Sequence, residues 1–233
     1  MAATGMRYED MLERLGRQGR AALLDAYALY QSGLIDRATY KDTASALLQH
    51  INTQSGAYGR LSYETLSATV TGRELDPARA LENLPAPLTT QPRLARALDT
   101  ILDGEQDQIT MRLERLGTTA PIAEVQSGYD SGLQADPLVE GWTRGMNDDA
   151  CQLCRWWWRD GRIWAKDHPL QYHKGCLCQK VPVWTKRIQE TYNARQQRRR
   201  DEARERSELY RAMLATRENR RVRVTIRGEQ IEI

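Results

Sequence analysis

The stretch from Cys151 to Cys178, CQLCRWWWRDGRIWAKDHPLQYHKGCLC, constrains what this chain can fold into more than any other. It holds every cysteine in the protein and two of its three histidines, and all six tryptophans fall between Trp142 and Trp184. The pattern is C-x2-C, a spacer, then H-x2-C-x-C, supplied by Cys151, Cys154, His173, Cys176 and Cys178. A tetrahedral zinc site takes four nitrogen or sulfur ligands, and paired ligands two residues apart can turn around one ion. Five candidates therefore compete for four places. Side chains alternate along an extended chain, so Cys176 and Cys178 share a face and both can point inward, although one ion need not use both. The favoured set is Cys151, Cys154 and His173 with one of the later pair. A site of cysteines alone, with His173 supporting it from outside, is the alternative.

Two disulfides, or thiols buried as small hydrophobes, are the competing readings, since an even number of cysteines can always pair. Against disulfides, the residues after Met1–Gly5 are charged and helical, with no apolar run of a secretory leader. A chain kept in a reducing cytosol more often uses clustered thiols for metal. A catalytic zinc keeps one position open for water and has a base nearby. Here the ligands exceed four, which points to a closed, structural zinc, and Asp148, Asp149, Asp160 and Asp167 read as solvated acids beside turns. His168, before Pro169, reads as a loop residue.

The rest of the chain reads as mostly helical, giving an α+β fold. The expected parts are an N-terminal helical region over 1–117, a small zinc-pinned module over 118–184, and a basic helix with a terminal hairpin over 185–233. Leu12, Leu15, Leu23, Ala26, Tyr27 and Tyr30 recur at helical spacing from about Arg7 to Gln31. Asp36 suits the N-cap of a second helix through Tyr40, Ala44, Leu47, Leu48 and Ile51. Gly56 and Gly59 are expected to loosen it before a helical pattern resumes over Leu61–Val70. Pro77, Pro85, Pro87 and Pro92 break up 75–92 into a linker. Leu94 to Leu116 predicts a helix ending near Gly117, and Thr119 caps another, interrupted at Gly128. Asp136-Pro137 reads as a turn, Leu138–Met146 as a strand, Asn147–Asp149 as a turn, Gly161–Trp164 and Cys176–Val183 as two further strands. No apolar run is long enough to span a bilayer.

Trp156, Trp157 and Trp158 cannot all face one small core, so at least one is expected at the surface, as a protein contact or as a stacking platform for unpaired bases. From Thr185 to Arg221 the charged pattern predicts a helix polar on nearly every side, with Arg198, Arg199 and Arg200 as a cationic knot able to meet phosphate or an acidic protein. The formal net charge of +3 says less than this local pile-up. Only Leu209, Tyr210, Met213 and Leu214 restore an apolar strip. Val222–Ile226 and Ile231–Ile233 read as a terminal hairpin that would need another sheet or subunit to be stable.

The run from a helix and strand through Trp142 into N-D-D-A-C-x2-C, then G-R-I-W, H-x2-C-x-C and a closing V-P-V, resembles the Mu F-like minor head proteins of tailed bacteriophages. The likeness covers about residues 118–184. In that family's pattern Cys151 and Cys154 correspond to the first pair, Gly161 to a strand glycine, and His173, Cys176 and Cys178 to the last element. Lys174 stands where the pattern has proline. The resemblance implies a structural minor capsid protein, not an enzyme, acting in head morphogenesis. It would be associated with the portal or the major capsid protein at the inner capsid surface, with packaged DNA as a further contact. The expected location is the virion, and the host cytoplasm during assembly, with no membrane or small-molecule partner. The alternative function is zinc-dependent nucleic-acid binding through the tryptophans and Arg198–Arg200.

Overall fold

The computed structural model describes residues 8–82, 84–146, 150–173, 176–218, 223–226 and 229–232. The chain divides into two compact units, Met1–Thr185 and Lys186–Ile233. Among the described residues the fold is predominantly helical with a small antiparallel sheet, an α+β arrangement.

Three long helices form the first unit's frame: α1 (Tyr8–Gln31), α2 (Arg37–Thr71) and α5 (Gln106–Ala135). Asp36 caps α2 as expected, its carboxylate accepting from the Thr39 N–H at 2.8 Å, and Gly72 closes it in the left-handed region. Leu23, Tyr27, Tyr40, Leu48, Leu98 and Leu113 meet in the main core, where α4 (Gln91–Leu102) joins the frame. The stretch between α2 and α4 is not all linker, because Pro77–Glu82 forms the short helix α3, with proline at the first position where its missing N–H costs nothing. Buried Glu124 of α5 holds the end of this strap, accepting from the N–H groups of Leu88 and Thr89 at 3.1 Å each.

Three expected breaks are absent, at Gly56–Gly59, at Gly117 and at Gly128, whereas the single helix expected from Leu94 to Leu116 is split at 103–105 into α4 and α5. Helix α2 runs unbroken through Gly56 and Gly59, and α5 runs through Gly117, Thr119 and Gly128 without ending or restarting. The glycines serve packing instead of interruption. A Cβ on Gly59 would collide with the Val125 carbonyl, one on Gly128 with the Gly56 carbonyl, and one on Gly117 would lie 2.6 Å from the Gly19 carbonyl oxygen. Helix α5 thus presses its backbone against both α1 and α2, and the close contact outweighs the weak helix propensity of glycine, about 1 kcal/mol per residue.

At the end of α5 the chain turns at Asp136 into β1 (Val139–Gly145), the middle strand of a sheet ordered β2-β1-β3. Strand β2 is only Trp164–Ala165 and β3 is Gln179–Trp184, both antiparallel to β1. They are shorter than the expected Gly161–Trp164 and Cys176–Val183. The reason for the first is a left-handed turn at Arg159, Asp160 and Gly161, with φ of 51°, 52° and 76°, which delays the extended chain. The expected turn at Asn147–Asp149 lies outside the described residues, as do Lys174 and two of the acids considered as bases, Asp148 and Asp149.

The second unit holds α7 (Lys186–Glu218) and a hairpin of β4 (Arg223–Ile226) and β5 (Glu229–Glu232). The expected helix end at Arg221 and the outer hairpin residues Val222 and Ile233 fall outside the described residues. Leu209, Tyr210, Met213 and Leu214 are exposed, and so is Arg198–Arg200. Among the described residues no helix is long and apolar enough to cross a membrane.

Candidate metal centre

Cys151 and Cys154 owe their meeting to helix α6 (Gln152–Trp158), for which Cys151 is the N-cap in extended geometry and Cys154 stands on the first turn. The Arg155 N–H returns to the Cys151 carbonyl at 3.1 Å, fixing this knuckle. His173, Cys176 and Cys178 arrive from the loop ahead of β3, where the Cys176 N–H bonds the His173 carbonyl at 3.1 Å. Alternation then acts as expected. Cys176 and Cys178 turn to the cluster, while Leu177 between them packs on the core of Met11, Leu12, Leu15, Ile122 and Val125.

Ligand atoms of Cys151, Cys154 and His173 lie within 4.8 Å of one another, and so do the sulfurs of Cys154, Cys176 and Cys178. Cys154 belongs to both groups. Its Sγ is 3.3 Å from His173 Nε2 and 3.4 Å from Cys176 Sγ, and Cys151 Sγ is 3.0 Å from the same Nε2. All four cysteines are free thiols, so the disulfide reading does not hold in this structure. The five residues form one cluster that could hold a metal ion, and among the described residues no carboxylate joins either group.

The thiols differ in acidity because burial and mutual hydrogen bonds pull in opposite directions. Burial pushes Cys154 up to about 12, reinforced by the neighbouring Cys176 thiol. Cys176 is drawn down to about 5, first by the Cys178 thiol that donates to it and against its own burial, then by the Cys178 N–H. Cys178 is raised, through that same sharing with Cys176 and then by burial. Cys151 is lowered, chiefly by the Cys154 N–H at the start of α6. Packed thiols of this kind cannot all ionise unless a cation shares their space; a bound divalent ion supplies it and holds them as thiolates. Soft sulfur with one imidazole is the donor chemistry that suits such an ion.

The other sequence candidates are placed as follows. Trp157 is half-buried and stacks on His173 with centroids 6.5 Å apart, whereas Trp156 and Trp158 are exposed, Trp156 at 65%. His168 stays out of the cluster and stacks on Trp164 at 4.3 Å. Asp160 and Asp167 are exposed. Arg198, Arg199 and Arg200 lie in the other unit, on α7.

Two supporting residues have no place among the sequence candidates. Gln126 of α5, buried, donates from Nε2 to the carbonyls of Cys176 and Cys178 at 3.4 and 3.3 Å, tying the thiol-bearing loop to the helical frame. Arg144 of β1 is buried, donates to the Gln171 carbonyl, and lies over the Trp157 ring at 5.3 Å. Strand alternation from Trp142 to Arg144 is the signal that could have found Arg144, because it puts the cation on the face of a buried tryptophan. A separate cleft of about 560 Å³ beside Arg60, Arg73 and Asp136 is a weaker candidate, since Arg60 is paired with Glu64 at 2.9 Å and Arg73 with Ser67 at 3.0 Å.

No protein-family model matches this chain, and no curated protein or solved structure is similar enough to be matched with it.

Proposed function

We propose that this chain is a structural minor head protein of a tailed bacteriophage, whose 118–184 module is pinned by one zinc ion and docks on portal or capsid subunits during head assembly. The observation that carries the reading is the convergence of Cys151, Cys154, His173, Cys176 and Cys178 on Cys154. Ligands in excess of four, buried except for Cys151 and the half-buried His173, suit a closed structural site and leave no open position for water. Zinc is the ion that tetrahedral sulfur and imidazole ligation favours in a protein made in a reducing compartment. The run of motifs from Trp142 to Val183 supports the assignment to phage heads. Exposed Trp156 and Trp158 supply the large aromatic contacts that anchor protein interfaces. On this reading the protein does no chemistry of its own, is made in the host cytoplasm and ends in the virion.

A second reading, zinc-dependent nucleic-acid binding, is favoured by Arg198–Arg200, which are exposed on α7 with no ion pair among the described residues. Successive residues turn by about 100° around a helix, so these three cations splay over more than one face. Such a splay fits a groove better than a flat surface.

Mass spectrometry of purified phage heads, together with metal analysis of the isolated chain, tests the leading reading. The expected results are the protein in heads in few copies and about one zinc per chain, with Cys154→Ser losing both the metal and incorporation. A chain absent from heads, or one that binds DNA with an affinity falling steeply with salt and abolished by changing Arg198–Arg200 to Ala, decides for the second reading.

A further inference from the structure

Arg144 and Lys180 face each other across the β1–β3 pairing, and both are buried, at 3% and 1% exposure. Directly opposed like charges destabilise a sheet, and buried charges are kept only when compensated. One carboxylate meets this pair: Asp130 of α5 takes Lys180 Nζ at 2.8 Å, while the same ammonium lies over the Trp142 ring at 5.0 Å. Arg144 donates from Nη2 to the Gln171 carbonyl, and its Nε and Nη1 are buried with no hydrogen-bond partner. One positive charge is therefore left over among the described residues. It lies against Trp157, whose ring also stacks on His173, and is tied to Gln171, two residues before that histidine.

We infer that the metal centre itself compensates Arg144, and that it therefore carries one net negative charge: a divalent ion with three thiolates and one neutral imidazole. Four thiolates around the same ion would leave two negative charges, whereas among the described residues Arg144 is the one buried cation without a carboxylate to pair it. The balance selects His173 as a direct ligand, with Cys151, Cys154 and one of Cys176 and Cys178, the remaining thiol staying protonated. Arg144 is then a positioning residue for the centre, acting through charge, the Gln171 carbonyl and the Trp157 ring. The inference rests on the metal-centre reading above and goes beyond it in fixing the ligand set and its partner.

The test uses the full-length chain, its zinc affinity measured by competition with a chromophoric chelator and its ligand set read from the spectrum after exchange for cobalt(II). Outer partners of metal ligands are worth about 10- to 100-fold in affinity. The Arg144→Met variant is expected to lose zinc affinity by that factor, whereas Arg144→Lys, which keeps the charge, retains most of it. The sulfur-to-cobalt charge-transfer intensity of the unsubstituted chain should correspond to three thiolates in a tetrahedral field. Unchanged affinity in Arg144→Met, or an intensity matching four thiolates, overturns the inference and leaves the metal centre standing. A chain that binds neither zinc nor cobalt overturns both. Should Arg144→Met lose its helical circular dichroism, the thiolate count of the unsubstituted chain decides alone.

Discussion

At Asp136 a single carboxylate gathers three parts of the fold. Oδ2 accepts from the Tyr63 hydroxyl and the Ser67 hydroxyl of α2, each at 2.8 Å, and Oδ1 accepts from the Leu138 N–H at 2.9 Å as the chain enters β1. Its backbone carbonyl takes Lys166 Nζ at 2.6 Å. Burial alone would raise this carboxyl, but the bonds from Leu138, Ser67 and Tyr63 and the Arg73 charge together hold it below the usual carboxylate range. A group depressed on folding contributes stability that is complete above its unfolded value, about 4, and is lost as pH falls through the folded value. Asp136→Asn, which keeps the size but gives up half of the accepting capacity and the charge, should cost about 1–3 kcal/mol in urea unfolding at pH 7. The gap between variant and parent should narrow as the pH falls below about 4; a constant gap would show that ionisation is not what matters there. Residues of this sort are hard to read from sequence. The Asp136-Pro137 pair is legible as a turn, but its partners stand 73 and 69 residues away. The cysteines were legible because their spacing is itself the signal. Gln126 was not, because its partners are carbonyls, which leave no mark on the side-chain pattern.

The same contrast governs the elements. Leucine and tyrosine stripes are sufficient to place α1 and the start of α2 with little error, and alternation places β1, but the stripe from Leu94 to Leu116 runs α4 and the start of α5 together across the break at 103–105. The glycines within α2 and α5 mislead, since a residue that weakens an isolated helix can be what lets two helices touch. Gly56 and Gly59 separate these two roles experimentally. A Cβ at Gly56 has its nearest neighbour 3.8 Å away, the Glu124 carbonyl oxygen, whereas one at Gly59 collides with the backbone of Val125. Gly56→Ala should therefore raise stability by up to about 1 kcal/mol through helix propensity. Gly59→Ala should lower it by about 3 kcal/mol or more, because the clash is with backbone that cannot rotate away. Thermal melts of the two variants make the comparison, and similar effects in both would mean that α2 and α5 do not pack as closely as described.

For the whole molecule, the helical frame and the metal module draw on different sources of stability. The frame has a broad apolar core, while the buried cluster at the ligand cysteines comprises Ala150, Cys154, Cys176 and Cys178, with Val139, Trp142 and Trp184 buried on the short sheet. Strands of seven, two and six residues add little independent stability. On the zinc reading, a strong chelator should strip amide-exchange protection from 150–178 and leave α1, α2 and α5 protected; protection that survives in both would mean the module does not depend on metal. The division of labour was partly legible: the module's ligands and the helical character of the rest were, while the continuity of α5 past Gly117 into the module's floor was not.

All six indoles lie between Trp142 and Trp184, inside or beside the module, whereas the helical frame carries phenol rings such as Tyr27, Tyr40 and Tyr63 and the chain has no phenylalanine. Light absorbed by indole but not by phenol therefore interrogates the module alone. Emission would follow that part of the molecule through folding or docking with no added label, while far-ultraviolet dichroism follows the helices in the same cuvette.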